Sequence, residues 1–312
     1  MPKILIEDTS DRQAWLKART KGVGASDIAT IMGINPYKTP LELWAEKTGK
    51  IERSTEMSDA AFMGLELEDD LLRLFTRKTG IDCFEDQKLY QHDEDEIALC
   101  TPDGYYMEGE LRVPLQLKTS TENSKKWKEE GLPLWVVCQV MWEMYVLDAP
   151  KSVVFPYLAG NAAKAEPIEL EYEHDFLTAC KSQVDQFWKL IVEDRQPEAT
   201  ENDVRTLHRI YDQLDGAKTA SDEIVMALKR MQSYKEMRDS LQYELYKAES
   251  LMKKEQAAIA QFLGDSKALE VGGEVVLTQT KVVVPERVQK SYDYQRISPR
   301  WKKISNALAV VA

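Results

Sequence analysis

Asp103, Gln116 and Lys118 are the residues whose types and spacing could do phosphodiester chemistry. An acid just past one strand, followed across a turn by a polar-x-Lys triplet on the next, is how a metal-dependent phosphodiesterase site is built. From Val113 to Lys118 the chain alternates Val113, Leu115 and Leu117 with Pro114, Gln116 and Lys118, which puts Gln116 and Lys118 on one strand face. Glu108-Gly109-Glu110 supplies the turn, so Asp103 would share a space with Gln116 and Lys118. One carboxylate, one amide oxygen and the Leu117 carbonyl could hold Mg²⁺, a hard ion that takes oxygen ligands. Lys118 would orient an attacking water or offset charge on the phosphate. The same residues also suit an ordinary hairpin with polar side chains on its wet face.

The elements that must position these residues can be read from period and punctuation. Residues 10 to 80 read as helical, with stops at Gly33, Asn35-Pro36 and Gly49. Asp59 to Lys78 reads as one helix with Glu68 in its first turn. Strands follow from Asp82 to Lys118, with Tyr105–Met107 and Val113–Leu117 as the hairpin and Glu96–Cys100 leading in. A helix from Pro133 to Leu147, a strand from Lys151 to Leu158 and a helix from His174 to Asp194 complete an α/β pattern of helices flanking a mixed central sheet.

Past Arg195-Gln196-Pro197 the character changes, which divides the chain into a core over 1–198 and an extension over 199–312. Ser221 to Leu263 reads as one long helix, with Asn202 to Leu214 as a shorter antiparallel partner. Ala268 to Val284 reads as a β-hairpin turning at Gly272-Gly273. The tail carries Arg287, Lys290, Arg296, Arg300, Lys302 and Lys303 among Tyr292, Tyr294 and Trp301, which suits contact with DNA or a partner, or a solvated terminus.

Composition narrows the function classes. Hydrophobic residues make up 43% and charged residues 30% of the 312, the balance of a soluble globular protein, and no apolar run reaches the length of a membrane span. The opening residues are too few and too acidic for a secretory signal, which points to the cytoplasm. Cys83, Cys100, Cys138 and Cys180 have no Cys-x-x-Cys spacing and read as reduced thiols; three scattered histidines argue against a zinc site. A net charge of −12 argues against a protein that coats nucleic acid. It is compatible with an acidic pocket served by local cations, for which Lys17, Arg19, Lys21, Lys125, Lys126 and Lys128 are candidates, with Trp127 placed either to stack on a base or to pack on the surface.

Five segments occur together in a telling order. They are Arg19 with Gly22-Val23-Gly24-Ala25-Ser26-Asp27-Ile28; Gly33-Ile34-Asn35-Pro36-Tyr37-Lys38-Thr39-Pro40-Leu41-Glu42-Leu43-Trp44; Gly64-Leu65-Glu66-Leu67-Glu68-Asp69-Asp70; the Asp103 and Lys118 segments; and Pro133 with Cys138-Gln139-Val140-Met141-Trp142-Glu143-Met144. With them the chain, from about residue 10 to about 195, resembles the YqaJ-type viral recombinase nucleases, relatives of lambda exonuclease in the PD-(D/E)xK nuclease superfamily. The resemblance implies that Asp103 and Glu68 bind metal, that Lys118 is the motif lysine, that Gln139 lies close to the site, and that Arg19 and Ser26 hold a 5′-terminal phosphate. Read without it, Glu68 is a solvated acid at a helix start, Ser26 a helix N-cap, and Gln139 a partner for a buried backbone group.

The resemblance further implies two Mg²⁺ ions per site, replaceable by Mn²⁺. It implies 5′-to-3′ digestion of linear duplex DNA from its ends to 3′ single-stranded tails, a single-strand annealing protein as partner, and a ring-shaped homo-oligomer, a trimer in the lambda enzyme. Gln116 departs from the pattern, which has Glu in Glu-x-Lys. It can ligate through its amide oxygen but brings no charge. A crippled nuclease that binds DNA ends as a scaffold is therefore the alternative; a site-specific endonuclease, cutting closed circles, is a third.

Overall fold

The computed structural model describes residues 2–53, 58–120, 131–158, 161, 165–212, 217–264, 266, 268–271 and 274–278, and within them caps and breakers decide where each element ends. β1 (Lys3–Ile6) leads to α1 (Arg12–Arg19), which starts where the Asp11 carboxylate accepts from the Gln13 and Ala14 N–H groups. β2 (Val23–Gly24), a 3-10 turn (Ala25–Asp27) and α2 (Ile28–Ile31) follow, then α3 (Pro40–Lys47), opened by the Thr39 side chain with Pro40 in its first turn. The single helix expected over Asp59–Lys78 is two, α4 (Asp59–Glu66) and α5 (Glu68–Thr79), parted at Leu67. The break puts Glu68 at the head of α5 rather than within a longer helix.

β3 (Cys83–Glu85), β4 (Leu89–Gln91), β5 (Ala98–Cys100), β6 (Gly104–Glu108) and β7 (Leu111–Ser120) come next. α6 (Leu134–Leu147), β8 (Lys151–Leu158), β9 (Ile168–Glu171), α7 (His174–Val192) and α8 (Val204–Ile210) follow. The α/β class expected from the sequence holds, with two mixed sheets in place of one. Five strands pair in the order β3-β6-β7-β8-β9, all antiparallel except β7 with β8. Four pair as β1-β4-β5-β2, with β2 and β5 parallel. The strand that reads as a lead-in to the hairpin, Ala98–Cys100, pairs instead with β4 and β2. Asp103 thus lies where the chain crosses from one sheet to the other. A cross-sheet tie holds that crossing: Arg112 on β7 donates to the Tyr90 hydroxyl on β4 (2.9 Å) and to the buried Asp86 carboxylate.

Three apolar clusters support the two sheets. Leu71, Leu72 and Phe75 of α5 pack with Tyr106, Val113, Leu115, Leu117 and Phe155, burying the apolar face of β7 and leaving Gln116 and Lys118 on the other. α6 is apolar nearly all round because both sides are covered. Cys138, Trp142 and Val146 join the cluster of α2, α3 and α7, while Val136, Val140 and Met144 join Val154 and Leu158 of β8. The Trp142 indole donates to the Val23 carbonyl (3.2 Å), fixing α6 against β2.

Contacts divide the chain into two compact units, 1–212 and 213–312. This division falls after the change of character at 198/199 because α8, expected as the antiparallel partner of the long helix, belongs to the first unit. There Thr39 donates to Asp203 and Arg209 donates to the Glu52 carbonyl (2.7 Å). In the second unit α9 (Asp222–Leu263) runs 42 residues, opened by the Ser221 side chain, and β10 (Ala268–Val271) pairs antiparallel with β11 (Glu274–Thr278). Lys125, Lys126, Trp127, Lys128 and the basic aromatic tail lie outside the described residues.

Candidate active site

Hairpin register brings the first three residues together. Gly104 pairs with Leu115, so Asp103 lies beside Gln116 and Leu117. Gly104 is glycine for a steric reason: a Cβ there would come within 2.8 Å of the Phe84 carbonyl oxygen. The Asp103 carboxylate accepts from the Leu117 N–H (2.7 Å) and from the Gln116 side-chain amide. The Gln116 amide oxygen accepts from Gln139 Nε2 (2.9 Å), and Gln139 Oε1 accepts from the Lys118 ammonium (2.9 Å). A directed chain therefore runs Lys118 to Gln139 to Gln116 to Asp103. Gln139 bonds side chains throughout, not the backbone group that its helix position alone suggests.

One cavity of about 920 Å³ is lined by Arg19, Ser26, Glu68, Asp103, Gln116, Leu117, Lys118 and Gln139, all of the site residues expected from the sequence. Glu143, absent from that expectation, lines it too. Glu143 is fully buried, and its Oε1 accepts from Gln139 Nε2 (2.9 Å). Its signal was present in the sequence: Leu134–Leu147 is an apolar helix whose two strongly polar side chains, Gln139 and Glu143, stand one turn apart on the same face.

The electrostatics are those of crowded, desolvated acids. Burial, with Asp103 and Glu85 nearby, pushes the Glu68 carboxyl up to about 8, against Lys118. Burial and Asp103 push Glu143 up to about 8, against its bond from Gln139 and the Lys118 charge. Burial also raises Asp103, opposed by Lys118, the Leu117 N–H and Gln116. Carboxylates gathered out of water favour a cation. Among the described residues no three His, Cys, Asp or Glu side chains already converge as a ligand set. Asp103 and Glu68, with the side-chain amide oxygen of Gln116 and the main-chain carbonyl of Leu117, nonetheless fit a hard divalent ion in donor chemistry. In this arrangement the amide nitrogen of Gln116, not its oxygen, faces Asp103.

Arg19 and Ser26 form the cationic end of the cavity. Arg19 Nη2 donates to Ser26 Oγ (2.7 Å), and the guanidinium lies 4.8 Å from the centre of the Trp15 ring. Ser26 sits within the 3-10 turn and does not cap α2, whose N-cap is Asp27. Its hydroxyl hydrogen remains available to an anion, since the oxygen is the acceptor for Arg19. Asp27 anchors the arrangement, accepting from the Gly24 N–H (3.0 Å) and pairing with Lys47 (3.0 Å). Gly24 makes room for it; a Cβ there would come within 2.4 Å of Arg19 Nη2.

With this geometry in hand, comparison with known proteins is informative. Residues 14–150 match the family model described as YqaJ-like viral recombinase domain. The uncharacterised protein YqaJ of Bacillus subtilis is 33% identical over 164 residues, 52% of this chain and 51% of that protein. The chain thus spans about half the length of that relative. A crystal structure of an alkaline exonuclease from Laribacter hongkongensis is similar with a TM-score of 0.48 at 18% identity, over 59% of this chain and 94% of that one. A phage-related exonuclease from Haemophilus somnus gives 0.45 at 11% identity, over 55% and 96%.

Proposed function

From the match of residues 14–150 to the model of the YqaJ-like viral recombinase domain, we propose that this chain is a metal-dependent exonuclease of that family. It resects linear duplex DNA from the 5′ end to leave 3′ single-stranded tails, in concert with a single-strand annealing protein. The observation that carries this reading is the joining of Asp103, Gln116, Lys118 and Glu68 with Arg19 and Ser26 around one cavity. The first four suit phosphodiester hydrolysis; the last two suit a terminal phosphate.

Asp103, Glu68, Gln116 and the Leu117 carbonyl would hold Mg²⁺ or Mn²⁺, two ions per site, which supply Lewis-acid activation of water and the scissile phosphate. The chain's own groups do the rest. Lys118, held by Gln139, places its ammonium where charge grows on the phosphate. Arg19, backed by Asp27, is preset for the 5′ phosphate and need not be reorganised to meet it. The need for a free end sets this reading apart from a site-specific endonuclease. A ring-shaped homo-oligomer, a trimer by resemblance, would keep the enzyme on its DNA, and the chemistry suits the cytoplasm of an infected host.

One observation favours a second reading. The Gln116 amide donates to Asp103 where the family pattern has a second carboxylate, which suits a DNA-end-binding scaffold. Digestion of 5′-phosphorylated linear duplex with Mg²⁺ separates the two. The exonuclease reading expects the native chain and Gln116→Glu to digest it, Asp103→Ala to be inert, Lys118→Ala to lose about 10²- to 10³-fold in rate, and closed circles to survive. If native and Gln116→Glu chains both bind ends yet digest nothing, the scaffold reading takes over.

A further inference from the structure

Glu143 has no role in the reading above, yet it is the most conspicuous polar group in the cavity wall. The amide nitrogen of Gln139 donates one hydrogen to Gln116 Oε1 and the other to Glu143 Oε1, both at 2.9 Å. Those two oxygens are therefore no farther apart than the two bonds laid end to end. Both amide hydrogens of Gln139 are then used, and its own oxygen accepts from Lys118. Glu143 Oε2 is left over. Among the described residues it is the one buried side-chain oxygen or nitrogen without a hydrogen-bond partner. A buried carboxylate oxygen without a partner is costly, and nothing in α6 packing requires an acid there.

Position 116, meanwhile, contributes an uncharged amide where the family pattern contributes a carboxylate. One carboxylate is missing from the strand and one surplus carboxylate stands on the facing helix, linked through a single shared nitrogen.

We propose that Glu143 is a carboxylate ligand of the divalent cation, supplying from α6 the negative charge that Gln116 does not bring from β7. This rests on the metal-dependent reading of the site and names a ligand which that reading lacks. With Asp103 and Glu68 it restores three carboxylates. Gln139 then acts as a positioning residue, holding Gln116 Oε1 and Glu143 Oε1 side by side.

The test is Mn²⁺ binding by the full chain, followed by the loss of the free-ion EPR signal, with no DNA present. Glu143→Gln keeps the acceptor for Gln139 and removes only the charge. The proposal expects it to weaken Mn²⁺ binding about 10- to 100-fold, the range known for disturbed metal surroundings. In the exchange Gln116→Glu/Glu143→Gln, which returns the third carboxylate to the strand, affinity should recover to within about threefold of native. Native-like affinity in Glu143→Gln would overturn it, leaving Glu143 as a protonated prop for Gln139. A native chain that binds no Mn²⁺ would overturn the metal-dependent reading itself, a distinct result because there the loss precedes any substitution.

A second readout leaves position 143 untouched, in case Glu143→Gln does not fold. In Glu68→Gln chains with ¹³C-labelled glutamate carboxyls, Mg²⁺ should shift one buried carboxyl band in the infrared. The band should be missing its shift when Asp103→Ala is added. No shift in the first chain overturns the proposal.

Discussion

Asp27 is buried, so its charge depends on the side chains around it. It is buried between Lys47 (3.0 Å) and Arg19 (3.3 Å), and Gly24 donates its N–H to the second oxygen. Burial by itself would raise this carboxyl, but Lys47 and Arg19 hold it well below the ordinary value of 3.8. The sign of the consequence follows. Below 3.8 the unfolded chain takes up a proton that the folded chain still refuses, so the stability Asp27 contributes is present above that value and is lost as pH falls below it. Asp27→Asn strands two buried cations and should cost about 3 to 5 kcal/mol at pH 7. It should also flatten the acid limb of stability. Denaturant melts of both chains at pH 7 and pH 3 check this, and parallel falls in the two would count against it. At this scale the sequence was readable where a residue type is tied to a strand or turn period. Gln116 and Lys118 share a strand face by alternation, and the turn at Glu108-Gly109-Glu110 sets Asp103 beside them. Asp27 and Lys47 were not readable in this way, because twenty residues of chain separate a pair that only the packing of α3 on the turn brings together.

Among the elements, β7 carries most of the demand. Its apolar face is buried under α5, and its other face supplies Gln116 and Lys118 to the cavity. Its partner β6 needs glycine at 104 to pair with β3 on its other edge, since a Cβ would press on the Phe84 carbonyl of β3. Gly104→Ala should therefore cost about 1 to 3 kcal/mol through overpacking. It should also weaken Mn²⁺ binding, because Asp103 is the preceding residue. A chain as stable as native, with the same Mn²⁺ affinity, would show that β3 yields. Element type was legible from period for the hairpin, α6, β8 and α7. The break at Leu67 was not, since apolar spacing runs through it unbroken. Nor were the two sheets: Ala98–Cys100 has the same character whichever neighbour it pairs with, and only long-range pairing decides.

For the whole molecule, the distribution of buried surface decides what can be removed. The three apolar clusters draw every member from residues 23 to 210, and so lie inside the first unit. α9 buries only Leu263 along its 42 residues, leaving Tyr234, Leu241 and Leu245 largely exposed. Its length, about 63 Å at ~1.5 Å per residue, is that of a strut and adds no core. Residues 1–212 should then fold alone, with α8 kept as their last element because Asp203 and Arg209 bind it to α3 and its following loop. A cut at 198 would remove those bonds. The fragment 1–212 should melt cooperatively and bind Mn²⁺ with full-chain affinity, while 1–198 should melt lower, because the Thr39 hydroxyl and the Glu52 carbonyl lose partners. Calorimetry and Mn²⁺ binding on the two fragments check this. A 1–212 fragment without a cooperative transition would mean that the second unit contributes to the stability of the first. A fragment that folds and digests DNA but no longer joins an annealing protein would assign residues 213–312 to that partner.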